Sequence, residues 1–452
     1  MHFGQEKEGG WEPHDDVRRE ILLDMRRVRE DVLAAPATSL LLTGDIAQSG
    51  REEEYKTASD WLADAAEATG SPARKIMAVP GNHDVDLRGL KEEHRALQTW
   101  MRTAPLDKVE QAMTQILGED RHPIPRKLAD YRSFAFAHDT DFQNWSYPVT
   151  TKTFEVNGQS IRFKGLCTAM ASDRDDAKNS MFLSASQYRI PRDPEVIDVV
   201  FMHHPLTWLR DADRIENYLN SRARILITGH EHQPIIEPCE HHAGYQQLRL
   251  AAGAANPPYA DDIFRYSYSW LEFDWVNDDD GGVLVVRVYP RTWCEQSTCF
   301  KPDDKLVGED QFVEHRIRCA IAKRNPAARA DQPKEADVKG AHSESSESPG
   351  SDGSTREGAT APFNNLVQAV SGKALDDLRF FFWRKMQKSE RAEILIEVGL
   401  LSERARLRLP SAVERQAFEE AIEIGCLHRL WNTVMRRASP SDRLDNPFGE
   451  NE

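Results

Sequence analysis

The sequence predicts an α+β fold with a separate, small all-α domain towards the C-terminus. Over residues 39–79, short apolar runs of strand length alternate with an amphipathic helical pattern, as in sheets whose strands are joined by crossover helices. Over residues 266–289 the hydrophobic period becomes two, which indicates an antiparallel hairpin. Residues 364–437 return to a helical period after a segment without periodicity. These patterns define the predicted fold class.

The net charge and the cysteine content limit which partners and which cellular compartment the chain is expected to have. The chain has 452 residues and a formal net charge of −16, from 58 Lys and Arg against 74 Asp and Glu. An acidic chain repels nucleic acid and anionic membranes unless a local basic patch overrides the mean field, which counts against nucleic acid as a partner. Six scattered cysteines indicate reduced thiols in a cytoplasmic protein. No apolar run approaches the roughly 20 residues of a membrane span, so no membrane association is expected.

The first 150 residues contain a βαβ pattern and an interruption. Helices are predicted over residues 15–33 and 52–69, and strands over residues 39–43 and 76–79. Residues 86–150 then break the alternation with further helical patterns and an aromatic-rich stretch. We interpret this segment as an insertion over the strand ends that acts as a substrate-selecting cap; the alternative is a surface decoration.

Further elements are predicted along the rest of the chain. The strands are residues 151–156 and 160–166 around Asn157-Gly158, then 195–202, 224–228, 266–275 and 283–289, with a helix at 215–221. Residues 321–363 are rich in Ser, Gly, Pro and charge and are predicted to be a disordered linker. The C-terminal helices are predicted at residues 375–386, 390–401 and 412–435, with Ser389 and Ser411 as N-caps.

Metal-binding residue types follow four of the predicted strands. The clusters are Gly44-Asp45, Asn82-His83 in the turn PGNHD, His203, and Gly229-His230-Glu231-His232. Imidazole and carboxylate suit ions such as Mn, Fe and Zn, and one carboxylate can bridge two ions about 3.5–4 Å apart. The glycines stand where a side chain would crowd the cluster. If residues 229–232 are extended, His230 and His232 point to the same side. A lone histidine of this kind is usually structural or solvated, but four such clusters together predict a metal centre.

The order of these motifs resembles the calcineurin-like metallophosphoesterase superfamily. The similarity runs from residue 2 to about residue 290, and the stretches LLLTGDIAQSGREEEY, MAVPGNHD, MHHPL and ITGHEHQ look most like the Icc-type cyclic-nucleotide phosphodiesterases. The resemblance implies a two-layer β-sandwich flanked by helices. It also implies two divalent metal ions, of which Mn, Fe, Zn and Ni are the candidates.

The resemblance also implies a role for each residue of the site. Asp45 would bridge the two ions, Asn82, His203 and His230 would complete one of them, and His232 would bind the other. His83 would be the general acid or transition-state donor, oriented by Asp84, and the nucleophile would be a metal-bound hydroxide formed because the ions lower the pKa of water to about 7. His204 is expected to shape its turn and is not assigned a metal.

The first motif of the family is matched only in part. The family opens with a strand that ends in Asp-x-His, and Met1-His2-Phe3-Gly4 matches only the end of this pattern. His2 fits the histidine ligand, whereas the aspartate and its strand are not in the sequence. We expect the natural start to lie further upstream; the alternative is a shortened form that has lost a carboxylate ligand.

Together these features predict a domain layout and a function. Residues 1–320 would form the phosphoesterase domain with its cap at 86–150, residues 364–438 a small helical interaction domain, and residues 439–452 a tail. The predicted activity is hydrolysis of a phosphodiester in a nucleotide or cyclic nucleotide, with a possible protein partner bound through residues 364–438. One alternative is a catalytically impaired scaffold or adaptor in a bacterial conflict or signalling system. The other is a DNA nuclease of the same superfamily, which would need a basic groove that the net charge argues against.

Overall fold

The predicted α+β class is confirmed by a computed structural model of the chain. The structure describes residues 1–5, 13–72, 75–117, 122–142, 147–173, 175–241, 245–256, 266–278, 281–319, 372–402 and 411–448. The predicted linker at residues 321–363 lies outside the described residues.

Thirteen α-helices lie within the described residues, and those at residues 13–27, 52–69 and 212–220 overlap helices predicted from the hydrophobic pattern. They are α1 Pro13–Arg27, α2 Glu52–Thr69, α3 Glu92–Thr103, α4 Leu106–Leu117, α5 Pro123–Arg126, α6 Ala129–Ala137, α7 Ala185–Tyr188, α8 Ala212–Asn220, α9 Asp304–Val307, α10 Gly372–Phe380, α11 Lys388–Val398, α12 Ser411–Glu423 and α13 Leu427–Arg437. Two of them continue as π-helical turns, α1 over Val28–Leu33 and α10 over Phe381–Lys385. None of these described helices combines the length and the hydropathy needed to cross a lipid bilayer.

Twelve strands form three hydrogen-bonded groups within the described residues. They are β1 Leu40–Leu42, β2 Ile76–Ala78, β3 Val149–Val156, β4 Gln159–Leu166, β5 Val196–Met202, β6 Ala223–Thr228, β7 Ile235–His241, β8 Tyr245–Ala251, β9 Ser267–Asp278, β10 Gly281–Cys294, β11 Cys299–Pro302 and β12 Val313–Cys319. β1 and β2 pair in parallel, and a mixed six-stranded sheet has the order β3-β4-β5-β6-β8-β7. In the third group, β10 pairs antiparallel with β9, β11 and β12.

The two larger sheets face each other across one apolar core. Phe163 and Ile225 from the mixed sheet share this core with Leu284 and Val286 from the antiparallel sheet. In strand β10, Val288 is also buried and faces this core. This arrangement is the two-layer β-sandwich that the sequence resemblance implied.

The four strands that lead into the predicted site are held together at their C-terminal ends. The amide of Val79 after β2 donates to the carbonyl of Leu42 on β1 (3.2 Å), and the amide of Gly229 after β6 donates to the carbonyl of His203 after β5 (2.9 Å). The Nδ1 atom of His203 lies 2.8 Å from the carbonyl oxygen of Thr43. The loops after β1, β2, β5 and β6 therefore meet at one edge of the fold.

Some predicted helix boundaries were wrong. The helix predicted over residues 412–435 is two helices, because Gly425 adopts a left-handed φ of 72° between α12 and α13. Ser389 is not an N-cap, since α11 begins one residue earlier and Gln387 takes the cap position. The amide of Gln387 donates to the Glu390 carboxylate (2.7 Å), which is the glutamate half of a capping box. The β7–β8 hairpin was not predicted.

The insertion at residues 86–150 is partly core and partly surface. In α6, Tyr131 and Phe134 are fully buried, and the ring of Phe134 lies 5.3 Å from that of Tyr55 on α2. Residues nearer the start of the insertion line the cleft described below. The cap function remains a prediction, but α6 is a structural helix of the phosphoesterase domain.

The C-terminal helices build a core that also includes the insertion. Phe382, Phe418 and Trp431 are fully buried in it. Phe136 of α6 enters the same core, with ring centroids 5.4 Å from Trp383 and 6.0 Å from Phe418. The helical domain is thus packed directly on the phosphoesterase domain.

Candidate metal centre

Asp45 lies between two groups of potential metal ligands. Its side chain is buried, and its Oδ1 accepts a hydrogen bond from the His83 amide (2.9 Å). Its Oδ2 lies 3.3 Å from Nε2 of His203 on one side and 3.9 Å from Nε2 of His2 on the other. A carboxylate in this position would be shared by ions held in the two groups.

The first group consists of Asn82, His203 and His230. The Oδ1 of Asn82 lies 2.9 Å from Nε2 of His203 and 3.1 Å from Nδ1 of His230, and these two nitrogens are 3.1 Å apart. The carbonyl of Thr43 must accept a hydrogen bond from Nδ1 of His203, so that Nε2 keeps its lone pair. These three residues would together hold one divalent ion, because their donor atoms converge on one position.

The second group consists of His2, Asp45 and His232. Each offers a ligand atom, and these atoms lie within 4.8 Å of one another. The Nε2 atoms of His2 and His232 are 3.4 Å apart. Backbone hydrogen bonds from His2 to the Asp45 carbonyl (2.8 Å) and from Phe3 to the Ile46 carbonyl (3.0 Å) hold this N-terminal segment beside the Asp45 loop.

An unusual backbone conformation marks the same residues. The described chain has nine non-glycine residues with positive φ, and four of them are His2, Asp45, His230 and His232. Such conformations are costly for residues with a Cβ atom and cluster at functional sites. The sequence predicted that His230 and His232 point to the same side because residues 229–232 are extended. That reason is wrong, because neither histidine has an extended backbone. Both residues turn the chain, and each belongs to a different ligand group.

The role predicted for Asp84 requires a correction. Its carboxylate is fully buried and accepts hydrogen bonds from the amides of Ile46 (3.1 Å), Ala47 (2.9 Å) and Gly81 (2.8 Å). The imidazole of His83 is instead oriented by the carbonyl of Gln48, which lies 3.1 Å from its Nδ1. Asp84 therefore braces the two loops that present Asp45 and Asn82, because its oxygens accept hydrogen bonds from backbone amides of both loops.

Protonation states in the site suit metal binding. Burial lowers the pKa of His2 well below its usual value and that of His230 to about 3, so both imidazoles are neutral near pH 7. Burial acts to raise the pKa of Asp45, but the adjacent His203 overrides it and holds that pKa well below its usual range. Burial likewise opposes the protonation of His203, yet the Asp45 carboxylate raises its pKa. A proton and a metal ion therefore compete for His203.

His204 contributes a nitrogen that the sequence analysis left unassigned. Its ligand atom falls within 4.8 Å of those of His203 and His230. Its Nδ1 lies 2.8 Å from the hydroxyl of Thr168, and the same hydroxyl accepts a hydrogen bond from the His204 amide (3.2 Å). This double contact supports the predicted role in shaping the turn.

A cleft of about 520 Å³ opens over the metal centre. Asn82, His83 and His230 form part of its wall. The other lining residues are Gln48, Ser49, Arg51, Val85, Asp86, Leu87, Arg88, Arg95, Asp173, Asp176 and Trp208. The indole ring of Trp208 packs edge-on against His230, with ring centroids 4.1 Å apart. No sequence pattern indicated this set, because its members come from five separate segments.

The donor set and its geometry define a dinuclear metallohydrolase site. Oxygen and imidazole donors from four loops and the N-terminal segment surround two positions with a shared carboxylate, which suits two divalent ions. Residues 14–234 match the family described as calcineurin-like phosphoesterase. This part of the chain belongs to the calcineurin-like metallophosphoesterase superfamily. Residues 374–436 match a second family, described as GTPase-associated adaptor domain.

Two solved structures are similar to large parts of the chain at low sequence identity. A dimetal phosphatase from Danio rerio is similar at 13% identity and a TM-score of 0.31, over 60% of this chain and 85% of that one. A hypothetical protein from Thermus thermophilus is similar at 12% identity and a TM-score of 0.26, over 67% of this chain and 94% of that one. No curated protein gives a match. The superpositions carry no weight at these scores, so the assignment depends on the family match and the site.

Proposed function

We propose that the chain hydrolyses a phosphodiester in a nucleotide or cyclic nucleotide, using two divalent ions from the set Mn, Fe, Zn and Ni. The observation that carries this proposal is the position of the Asp45 carboxylate, 3.3 Å from His203 and 3.9 Å from His2. When bound, the ions would lower the pKa of water and stabilise charge on the phosphoryl oxygens.

The residues of the chain would bind and orient the substrate around these ions. Asp45, Asn82, His203 and His230 would hold one ion, and Asp45, His2 and His232 the other. His83 lines the cleft, and its Nδ1–H donates to the Gln48 carbonyl. Its Nε2 is then the ring nitrogen that serves the leaving oxygen, either as a proton donor or as a hydrogen-bond donor in the transition state.

The cleft also supports a substrate with charges beyond the reacting phosphate. Arg51, Arg88 and Arg95 are exposed side chains along its wall. Arg88 is paired with Asp86 (2.8 Å), whereas Arg51 and Arg95 make no ion pair with another described side chain. Guanidinium groups bind phosphate oxygens in a bidentate manner, and the face of Trp208 suits stacking on a base. A nucleotide with a second phosphate group fits this arrangement best.

Hydrolysis of bis(p-nitrophenyl) phosphate tests the proposal. We expect turnover that chelation abolishes and that Mn²⁺, Fe²⁺, Zn²⁺ or Ni²⁺ restores. Cyclic mononucleotides and linear dinucleotides with a 5′-phosphate then separate the two substrate classes. Absence of turnover with every one of these metals would contradict the proposal and leave the chain as a catalytically inert scaffold.

We propose in addition that the helical domain recruits a protein partner. The match of residues 374–436 to a GTPase-associated adaptor family favours this second role and points to a partner linked to a GTPase. Ile424, at the exposed turn between α12 and α13, is 58% exposed, and Val413 on α12 is also exposed. Exposed large apolar side chains of this kind are candidate contact points for another protein.

Affinity capture tests this second role. We expect the complete chain to retain a partner that a chain ending at residue 320 does not retain. Because the helical domain shares a core with α6, the shortened bait must first be shown to be folded by circular dichroism. A partner captured equally by both baits would assign the contact to the phosphoesterase domain and remove the adaptor role.

A further inference from the structure

The helical domain contacts the first turn of α2, the helix that begins at the edge of the cleft. The guanidinium of Arg391 lies 3.2 Å from the carboxylate of Glu52 in that turn. At the end of the same turn, Arg384 donates a hydrogen bond to the backbone carbonyl of Tyr55. Both contacts join residues that are far apart in sequence, so they exist only when the helical domain is docked.

The docking contacts pair basic side chains of the helical domain with acidic ones of the phosphoesterase domain. Arg384 is nearly completely buried, and its guanidinium lies 5.4 Å from the ring centroid of Phe134 on α6. Two further ion pairs flank it, Arg415 with Asp141 (3.8 Å) and Arg379 with Asp139 (3.7 Å). Removing one partner from a buried charged contact is costly, so the contact of Arg384 with the Tyr55 carbonyl holds the helical domain against α2.

Tyr55 connects the docking surface to the metal centre. Its ring is fully buried against Phe134, and its hydroxyl donates to Oδ1 of Asp84 (3.0 Å). The same Asp84 oxygen accepts from the Ala47 amide (2.9 Å), and the other accepts from the Gly81 amide (2.8 Å). Tyr55 is therefore one hydrogen bond away from a carboxylate that binds both loops that carry metal ligands.

The segment leading into α2 is held from the same turn. The carboxylate of Glu54 accepts hydrogen bonds from the amides of Ser49 (2.8 Å) and Arg51 (3.1 Å). Gln48, next to this segment, supplies the carbonyl that orients His83 (3.1 Å). A shift of the first turn of α2 would thus displace both the Asp84 carboxylate and the His83 imidazole.

We infer that the helical domain positions the metal centre of the phosphoesterase domain. Arg384 holds the first turn of α2 in place through its hydrogen bond to Tyr55. The Tyr55 hydroxyl then orients the Asp84 carboxylate, and Asp84 holds the Asp45 loop through backbone hydrogen bonds. Arg384 and Tyr55 are positioning residues that act through Asp84. This inference rests on the proposed metal centre, and it means that a partner that displaces the helical domain weakens metal binding.

Mn²⁺ affinity of the complete chain tests the inference. Free Mn²⁺ is measured by electron paramagnetic resonance in titrations of the unchanged chain, Arg384→Ala, Tyr55→Phe and the double variant. We expect each single substitution to weaken the affinity about tenfold, as for other residues that support metal ligands. The Mn²⁺ affinity of the double variant should be about that of the weaker-binding single variant, because both residues act through Asp84. Arg436→Ala is the matched control, since Arg436 is exposed and pairs with Glu397 on the outer side of the helical domain.

Two results would overturn the inference. The first is an unchanged Mn²⁺ affinity in Tyr55→Phe, a variant that keeps the buried ring and therefore the fold. The second concerns the double variant. Losses that multiply in the double variant would show that Arg384 and Tyr55 act independently. If the unchanged chain binds another of the proposed ions in place of Mn²⁺, the same variants are titrated with that ion by calorimetry. If it binds none of Mn²⁺, Fe²⁺, Zn²⁺ and Ni²⁺, the proposed metal centre itself fails, and the inference fails with it. These failures are distinguishable because the first two require an unchanged chain that binds the metal.

Discussion

Replacing Asp45 with asparagine is expected to lower kcat/KM for phosphodiester hydrolysis about 10³-fold. The substitution keeps the shape of the side chain and leaves Oδ1 able to accept from the His83 amide. It removes the negative charge that both ligand groups share, 3.3 Å from His203 and 3.9 Å from His2. A metal ion supplies several kcal/mol of transition-state stabilisation, and about 4 kcal/mol corresponds to a factor of about 10³ in rate.

Metal content measured by mass spectrometry accompanies the kinetics of Asp45→Asn. We expect the unchanged chain to retain two ions and the variant to retain at most one after gel filtration, because an amide binds divalent ions more weakly than a carboxylate. Asp193→Asn is the control, because Asp193 is an exposed loop residue. Among the described residues, its side chain accepts a hydrogen bond only from the nearby Glu195 amide. Two retained ions together with unchanged kinetics in Asp45→Asn would contradict a bridging carboxylate.

The ligand set was predictable because its geometry is local to strand ends. Asp45, Asn82 and His203 each follow a short apolar strand, and such strands end at a common edge when they run in parallel. The structure brings these residues together with His2, His230 and His232 as the motif order implied. The sandwich followed from the family resemblance, since the alternation of residues 266–289 alone specifies a hairpin but not the sheet it faces.

The supporting residues were not predictable, because their roles depend on tertiary contacts. Tyr55 lies on the apolar face of α2, so the helical pattern predicts only that it is a core residue. Nothing in the sequence indicates that its hydroxyl donates a hydrogen bond to Asp84. The carbonyl of Gln48 orients His83, and backbone acceptors leave no trace in a sequence. The left-handed conformations of His230 and His232 likewise cannot be inferred from residue types that usually avoid them.

The docking of the helical domain was also beyond prediction from pattern. A contact such as Arg384 with Tyr55 joins positions 329 residues apart, across a predicted linker. Periodicity identified the helices, but which face of a short amphipathic helix meets which domain depends on surfaces that only folding brings together. The sequence therefore predicted a tethered domain where the structure has a shared core.

Gly81→Ala is expected to cost at least about 100-fold in kcat/KM, through displacement of Asp45. A Cβ atom at this position would lie 2.1 Å from Oδ1 and 2.5 Å from the amide nitrogen of Asp45. The backbone of Gly81 has a φ of −99°, which alanine adopts without strain, so the effect is purely steric. The Asp45 loop must move away to make room. A misplacement of about 1 Å at a catalytic group costs about 10²-fold in rate.

Thermal unfolding with and without Mn²⁺ measures the same displacement without relying on turnover. A ligand that binds only the folded state raises the melting temperature according to its affinity, so Gly81→Ala should lose most of the Mn²⁺-dependent increase. Gly89→Ala is the matched control, because a Cβ atom there has no neighbour within 4 Å. An undiminished Mn²⁺-dependent increase in Gly81→Ala would mean that the Asp45 loop can move without losing metal, and that its carboxylate does not hold the two ions together.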